Sequence, residues 1–217
     1  MGRVVAIDGP SGAGKSTVAR RVAGELGFDY LDTGALYRAV ALGLTRRAVR
    51  PEDTDQRLGE ALQELRVEFK DGRVYLDGED VSGEIRTPEM GHYSSVFSAR
   101  KPVREFLLPV QKRAGERGGL VAEGRDMSTV VFPRAWRKFY LDASVEARTR
   151  RRYEQLREAG NPVSMERAGE DVIGRDERDS ERAHSPLRVA GDAVYIDTSD
   201  LGVEEVVARV LEEIARG

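Results

Sequence analysis

Arg3-Val4-Val5-Ala6-Ile7-Asp8-Gly9-Pro10-Ser11-Gly12-Ala13-Gly14-Lys15-Ser16 decides how the rest of the chain is read. Arg3–Asp8 is a β-branched apolar run stopped by Gly-Pro, as expected of a strand buried on both faces. Lys15–Leu26 follows with helical spacing, Val18, Val22 and Leu26 sharing one face. Between them, Gly9–Ser16 fits G-x-x-x-x-G-K-[ST], and a strand before and a helix after are the context this motif requires. Its glycines let consecutive backbone N–H groups point inward, and the helix N-terminus adds partial positive charge. Gly9, Pro10, Ser11, Gly12, Ala13, Gly14, Lys15, Ser16 and Thr17 are therefore the expected contacts of a nucleoside triphosphate. Lys15 can reach its β- and γ-phosphates, and Ser16 can ligate Mg²⁺. The loop alone does not separate a kinase from an ATPase or a GTPase.

Working outward, Asp29–Asp32 reads as a brief strand, and Thr33 can cap a helix from Ala35 to about Arg47. Further strands are expected at Gly119–Glu123, Arg137–Asp142 and Ala193–Asp197. Strands alternating with helices argue for a parallel sheet covered on both faces. Leu65–Ile85 breaks the rhythm: it alternates apolar and polar residues and carries Asp-Gly at 71–72 and 77–78. That pattern predicts a small antiparallel insert over roughly 64–87. Arg148–Arg182 is rich in arginine and acids with weak apolar periodicity, and reads as a helical, loosely attached cover.

The 217 residues suit one domain, and a formal charge of −3 argues against a general nucleic-acid binder. Of the 35 basic residues 30 are arginine, whose forked donors match phosphate oxygens; coding bias or heat adaptation is the other explanation for most of them. Without cysteine there is no disulfide or thiolate chemistry, consistent with a reducing cytosol. Met1–Ile7 is too short for a signal peptide, and no apolar run approaches the length of a membrane span. No exposed apolar stripe calls for an obligate partner, so a monomer is expected. The base-reading N-K-x-D of a GTPase is absent, and Leu120–Glu123 ends in one acid where a motor ATPase usually has two. Small size, an early Arg38 and a late arginine cluster suit a small-molecule kinase, which must neutralise two phosphate-bearing ligands.

Several further blocks are more specific than the loop: Leu31-Asp32-Thr33-Gly34-Ala35-Leu36-Tyr37-Arg38, Gly78–Thr87, Gly124-Arg125-Asp126-Met127 through Pro133, Phe139–Ser144 and Arg175–Arg182. With them the chain resembles, nearly end to end, the bacterial cytidylate (CMP/dCMP) kinases. The resemblance implies a P-loop three-layer α/β/α fold with a five-stranded parallel sheet. It also implies a monophosphate-binding region about 33–105 that holds the 64–87 insert, and an arginine-rich helical lid about 148–165. ATP as donor, Mg²⁺, CMP or dCMP as acceptor and a cytoplasmic setting follow from it.

The same resemblance assigns roles. Arg38 would clamp the acceptor phosphate with Thr33 beside it; a surface salt bridge for Arg38 and a helix cap for Thr33 are the alternatives. Cytosine offers an amino donor beside ring acceptors, so a selective pocket wants a carboxylate and a cation or hydroxyl. Asp126, Arg104 and Ser95 are implied there, with Arg125 near the phosphate. Ser94 stands beside Ser95, and Tyr93 and Phe97 depart from the family pattern, which leaves the hydroxyl open. Arg104 on an amphipathic helix could instead be solvated. Arg175, Asp179 and Arg182, at i, i+4 and i+7, share one helix face, as phosphate and sugar contacts or as an ion-pair ladder. Arg148, Arg151 and Arg152 resemble lid arginines facing ATP and the transferred group, one or two of which could be solvated. Lys15, Arg148 and Arg152 are thus the catalytic set, and Arg151 belongs with the donor. His92 and His184 receive no role. The rivals are a kinase for UMP, AMP or shikimate, and a nucleotide-binding module without turnover.

Overall fold

Val4 and Ala6 of the first strand pack into one hydrophobic cluster and Val5 and Ile7 into another, because alternate strand residues face opposite sides of a sheet that is covered twice. The computed structural model describes residues 2–70 and 72–216. Strands β1 (Val4–Asp8), β2 (Asp29–Asp32), β6 (Leu120–Gly124), β7 (Arg137–Asp142) and β8 (Val194–Asp197) form a five-stranded sheet in the order β2-β6-β1-β7-β8. All its pairings are parallel. Helices α1 (Lys15–Leu26) and α8 (Val203–Ala215) cover one face through Val18, Val22, Val206 and Val210. The other face is covered by α2 (Thr33–Arg46), α3 (Asp55–Gln63) and α5 (Lys101–Ala114), with α4 (Pro88–Phe97) beside α2.

The insert forms as its alternation predicts. Strands β3 (Val67–Lys70), β4 (Arg73–Leu76) and β5 (Glu79–Asp80) make an antiparallel sheet whose Val67, Val74 and Leu76 are buried against α2. Asp77 (φ 51°) and Gly78 (φ 88°) both adopt left-handed backbone, the two-residue turn that an Asp-Gly pair favours. Asp71 of the other pair lies outside the described residues.

Two expectations change. The cap of α2 is Asp32, whose carboxylate accepts from Ala35 N at 3.0 Å, so Thr33 is already helical and its hydroxyl is free for another task. The arginine-rich stretch is helical, as α6 (Val145–Glu158) and α7 (Met165–Glu181), but it is fastened by charge pairs. Its apolar periodicity is weak because α7 buries only Ala168, Val172 and Asp179.

Candidate active site

The C-terminal ends of β1, β2 and β6 open into a cavity of about 880 Å³, where parallel α/β sheets place their ligands. The phosphate loop forms its floor. Gly14 sits at φ 84° as the N-cap of α1, a left-handed geometry that glycine adopts freely. A side chain on Gly9 would put its Cβ 1.9 Å from Leu141 O, so the loop can rest on β7 only as glycine. Lys15 is buried and donates to Pro10 O at 2.6 Å. Burial and the nearby Arg125 push its ammonium pKa down. Ser16 Oγ donates to Glu123 Oε1 at 2.5 Å, and Tyr30 OH donates to the same oxygen at 3.1 Å. Burial and the neighbouring Asp32 push the Glu123 carboxyl up.

Also in the cavity wall, Arg104 and Asp126 form a buried ion pair, with side chains 9% and 3% exposed. Arg104 also donates to Ser98 O at 3.1 Å and lies over the Tyr37 ring. The solvated reading of Arg104 is thereby excluded. Asp126 is held in place through the residues after it: Asp8, at the end of β1, accepts from Met127 N at 2.8 Å and from Ser128 N at 2.7 Å. Thr33 Oγ1 donates to Glu123 O at 2.7 Å while lining the cavity, so it links α2 to β6 and caps nothing. Ser95 accepts from Arg178 Nε at 3.0 Å, whereas Ser94 is turned back onto Gly91 O of its own helix. Arg38 donates to Ile85 O at 3.1 Å; burial and Arg175 lower its pKa to about 10.

Asp179 ties two arginines of the wall together, accepting from Arg125 Nε at 2.7 Å and from Arg182 Nη1 at 3.3 Å. These guanidiniums hold its carboxyl below the usual range even though burial alone would raise it. Arg104 Nε and Arg182 Nη2 are buried with no hydrogen-bond partner, two donors that a ligand in the cavity can satisfy.

The three arginines of α6 diverge. Arg151 donates to Thr198 Oγ1 at 3.0 Å and lines the cavity, as do Leu201 and Val203. Arg152 lines the cavity and donates to Asp171 Oδ2 at 2.8 Å. Arg148 does not reach the cavity wall: its Nε donates to Ala143 O at 2.9 Å and its Nη1 to Ser11 O at 3.2 Å and to Asp176. These contacts tie it to the phosphate loop, to the residue after β7 and to α7. Gly9 and Pro10 likewise lie outside the wall, holding the loop from behind. Thr33, Arg38, Ser95, Arg104, Arg125, Asp126, Arg175, Asp179 and Arg182 all line it with Ser11–Thr17. Sequence reasoning left Glu123, Asp32, Tyr30, Asp171 and Arg178 without roles. Glu123 carried a signal, an acid closing an apolar strand; the others become visible only when separate elements meet.

A phosphate cradle facing a second, arginine-walled pocket across one cleft defines a P-loop phosphotransferase. The fold is that of the small kinases: shikimate kinase from Bacteroides thetaiotaomicron superposes with a TM-score of 0.51 at 14% identity, over 98% of both chains. The cytidylate kinase family model matches residues 5–216. A cytidylate kinase of Thermodesulfovibrio yellowstonii is 53% identical over 99% of each chain, and one of Citrifermentans bemidjiense is 47% identical over 100% of this chain and 96% of its own. The chain belongs to the cytidylate kinase family and is an ATP-dependent kinase. Among the described residues no helix is long and apolar enough to cross a membrane.

Proposed function

We propose that the cleft transfers the γ-phosphoryl group of ATP to CMP and dCMP, giving ADP with CDP or dCDP. The observation that carries this reading is the buried Arg104–Asp126 pair in the wall of the same cavity as the phosphate loop. A carboxylate accepts from the cytosine 4-amino group, where uracil presents an oxygen that it repels. Arg104 keeps an unpartnered Nε for a ring acceptor.

The acceptor phosphate, with a second pKa near 6, is largely dianionic at neutral pH, so no general base is assigned. The difficulty is bringing two anions within bonding distance. In this reading Arg38, Arg125, Arg175 and Arg182, which all line the cavity, take the acceptor side, and Lys15, the loop amides and Arg152 take the donor side. Arg151 walls the donor base. Deoxyribose is accepted because base and phosphate contacts do not require the 2′-hydroxyl; Asp179, neutralised by Arg125 and Arg182, faces the sugar.

Among the described residues no three carboxylates or imidazoles converge on a cation site, so a divalent ion must draw on the nucleotide's own oxygens. Ser16 Oγ and the Glu123 carboxylate, an all-oxygen pair, fit Mg²⁺ and would hold it beside Lys15. Bound there, it supplies charge neutralisation across the phosphates.

Residues about 33–105, with the insert, form the monophosphate side, and the α6–α7 junction about 148–165 acts as a lid that excludes competing water. The exposed large apolar side chains, Val145, Met165, Ile173, Val189, Tyr195 and Val203, are spread over α6, α7, β8, α8 and a loop, in keeping with a monomer. A coupled ADP-release assay over CMP, dCMP, UMP, AMP and shikimate tests the assignment. CMP and dCMP should lead by at least about tenfold in kcat/KM, the scale of one well-made base contact. Equal rates with UMP would remove Asp126 as the base reader.

A further inference from the structure

One carboxylate on α7 stands between two guanidiniums that close the cleft. Asp171 Oδ2 accepts from Arg152 Nε at 2.8 Å, and its Oδ1 accepts from Arg175 Nε at 2.9 Å. Arg152 comes from α6, whereas Arg175 lies one turn further along α7. Both arginine side chains are only 11% exposed and both line the cavity, while Asp171 itself does not. Each guanidinium meets the carboxylate with its Nε edge, so the terminal nitrogens remain for other partners. Arg152 Nη1 gives one N–H to Gln155 Oε1 at 2.9 Å.

The charge is concentrated at this point. A methyl group placed on Gly91 of α4 would lie 3.0 Å from Arg175 Nη2 and 3.4 Å from Arg38 Nη2. Arg38, Arg152 and Arg175 thus approach from three helices. Long arginine side chains lose rotamer freedom when held in one geometry, and like charges in a largely buried site repel. Something must hold them in one geometry before an anion arrives, and Asp171 is the carboxylate that contacts two of the three.

We infer that Asp171 is a positioning residue for phosphoryl transfer: gripping Arg152 and Arg175 from behind, it aims the terminal N–H groups of a donor-side and an acceptor-side arginine at the same phosphoryl group. This rests on the transfer reaction proposed above. In Asp171→Asn the amide oxygen can serve one arginine, but its NH₂ opposes the other. Asp171→Glu keeps both acceptors, one methylene further out.

Steady-state kinetics with ATP and CMP, melting temperatures and calorimetric binding of pyrophosphate test the assignment on the full chain. Asp171→Asn should lower kcat by about 10- to 100-fold, the scale of an ångström of misplacement, with KM for ATP within about twofold. Its melting temperature should stay within a few degrees, and Asp171→Glu should recover to within about threefold of the parent rate. An unchanged kcat in Asp171→Asn overturns the inference. So does equal loss in Asp171→Asn and Asp171→Glu that follows a fall in melting temperature, which would make Asp171 a packing pin. Severalfold tighter pyrophosphate binding with kcat retained also overturns it, by showing the carboxylate to be a stand-in for phosphate. A parent protein inert towards CMP would remove the transfer reading, and this inference with it; an active parent with an unaffected Asp171→Asn removes this inference alone.

Discussion

Lys15 donates to Pro10 O, a carbonyl that a phosphate oxygen can replace as partner. Its ammonium is buried and disfavoured there by burial and Arg125, so the folded protein gains little from it until a polyanion is bound. Lys15→Ala should therefore keep its melting temperature within a few degrees and lose at least about 100-fold in turnover, as when a donor aimed at developing charge is deleted. Near-normal turnover would take Lys15 out of the mechanism. Asp126 carries a different balance, because Arg104 depends on it. Asp126→Ala should lower stability by about 3–5 kcal/mol, the scale of leaving one partner of a buried pair uncompensated. Asp126→Asn keeps the shape and should cut the CMP-over-UMP preference by about tenfold or more while leaving the KM for ATP nearly unchanged. Chemical denaturation and acceptor kinetics check the two variants. Both residues were legible in the sequence, each inside a contiguous motif. Arg148 was not, since its spacing matches that of Arg151 and Arg152 and only the structure shows its guanidinium engaged with Ala143 O, Ser11 O and Asp176.

Helix α7 shows what happens when an element is held by charge. Its apolar residues are too few to give a periodic signal, so the sequence suggested a loose cover where the structure has Asp171, Asp176 and Asp179 each gripping arginines. Asp171–Arg175 and Asp179–Arg182 lie within a turn of one another, but the pairings to Arg125, Arg148 and Arg152 join residues 19 to 54 positions apart, which no local pattern encodes. They have a pH signature. Asp171 and Asp179 are held below the ordinary aspartate value of 3.8: burial opposes this, and the paired arginines prevail. A depressed carboxyl contributes stability above its unfolded pKa and loses it as pH falls through the folded one. The melting temperature should therefore drop as pH is lowered below about 4, where unfolded aspartates titrate. Asp179→Asn should melt lower than the parent at pH 7 and show a shallower fall in acid. Parallel acid limbs for the two proteins would contradict the assignment. The sheet and the insert were legible for the opposite reason: buried alternation and Asp-Gly turns are local, and Asp77-Gly78 folds as such a pair dictates.

Across the molecule, one cavity is walled by the core, α4, α6 and α7, and the proposed reaction brings two nucleotides into it. Either nucleotide at 100 times its Kd should stabilise the fold by about 2.7 kcal/mol, and the two together by more, because each adds its own binding free energy to the folded state alone. Hydrogen exchange should show the added protection in α7 and in the segment around Ile85, whose carbonyl holds Arg38. Protection confined to the phosphate loop would argue against a closing lid. The overall architecture followed from the first sixteen residues and the strand–helix alternation, whereas the meeting of donor and acceptor halves emerges only from chain topology. Asp8 is where those halves are stitched: it precedes the phosphate loop in sequence and binds the amides of Met127 and Ser128 just after Asp126. A protein engineer who transplants a relative's 124–132 segment to retarget the enzyme inherits that knot. Unless the graft presents its two amides to the same carboxylate, a change meant for the nucleobase pocket will be felt first as a misfit in the ATP grip.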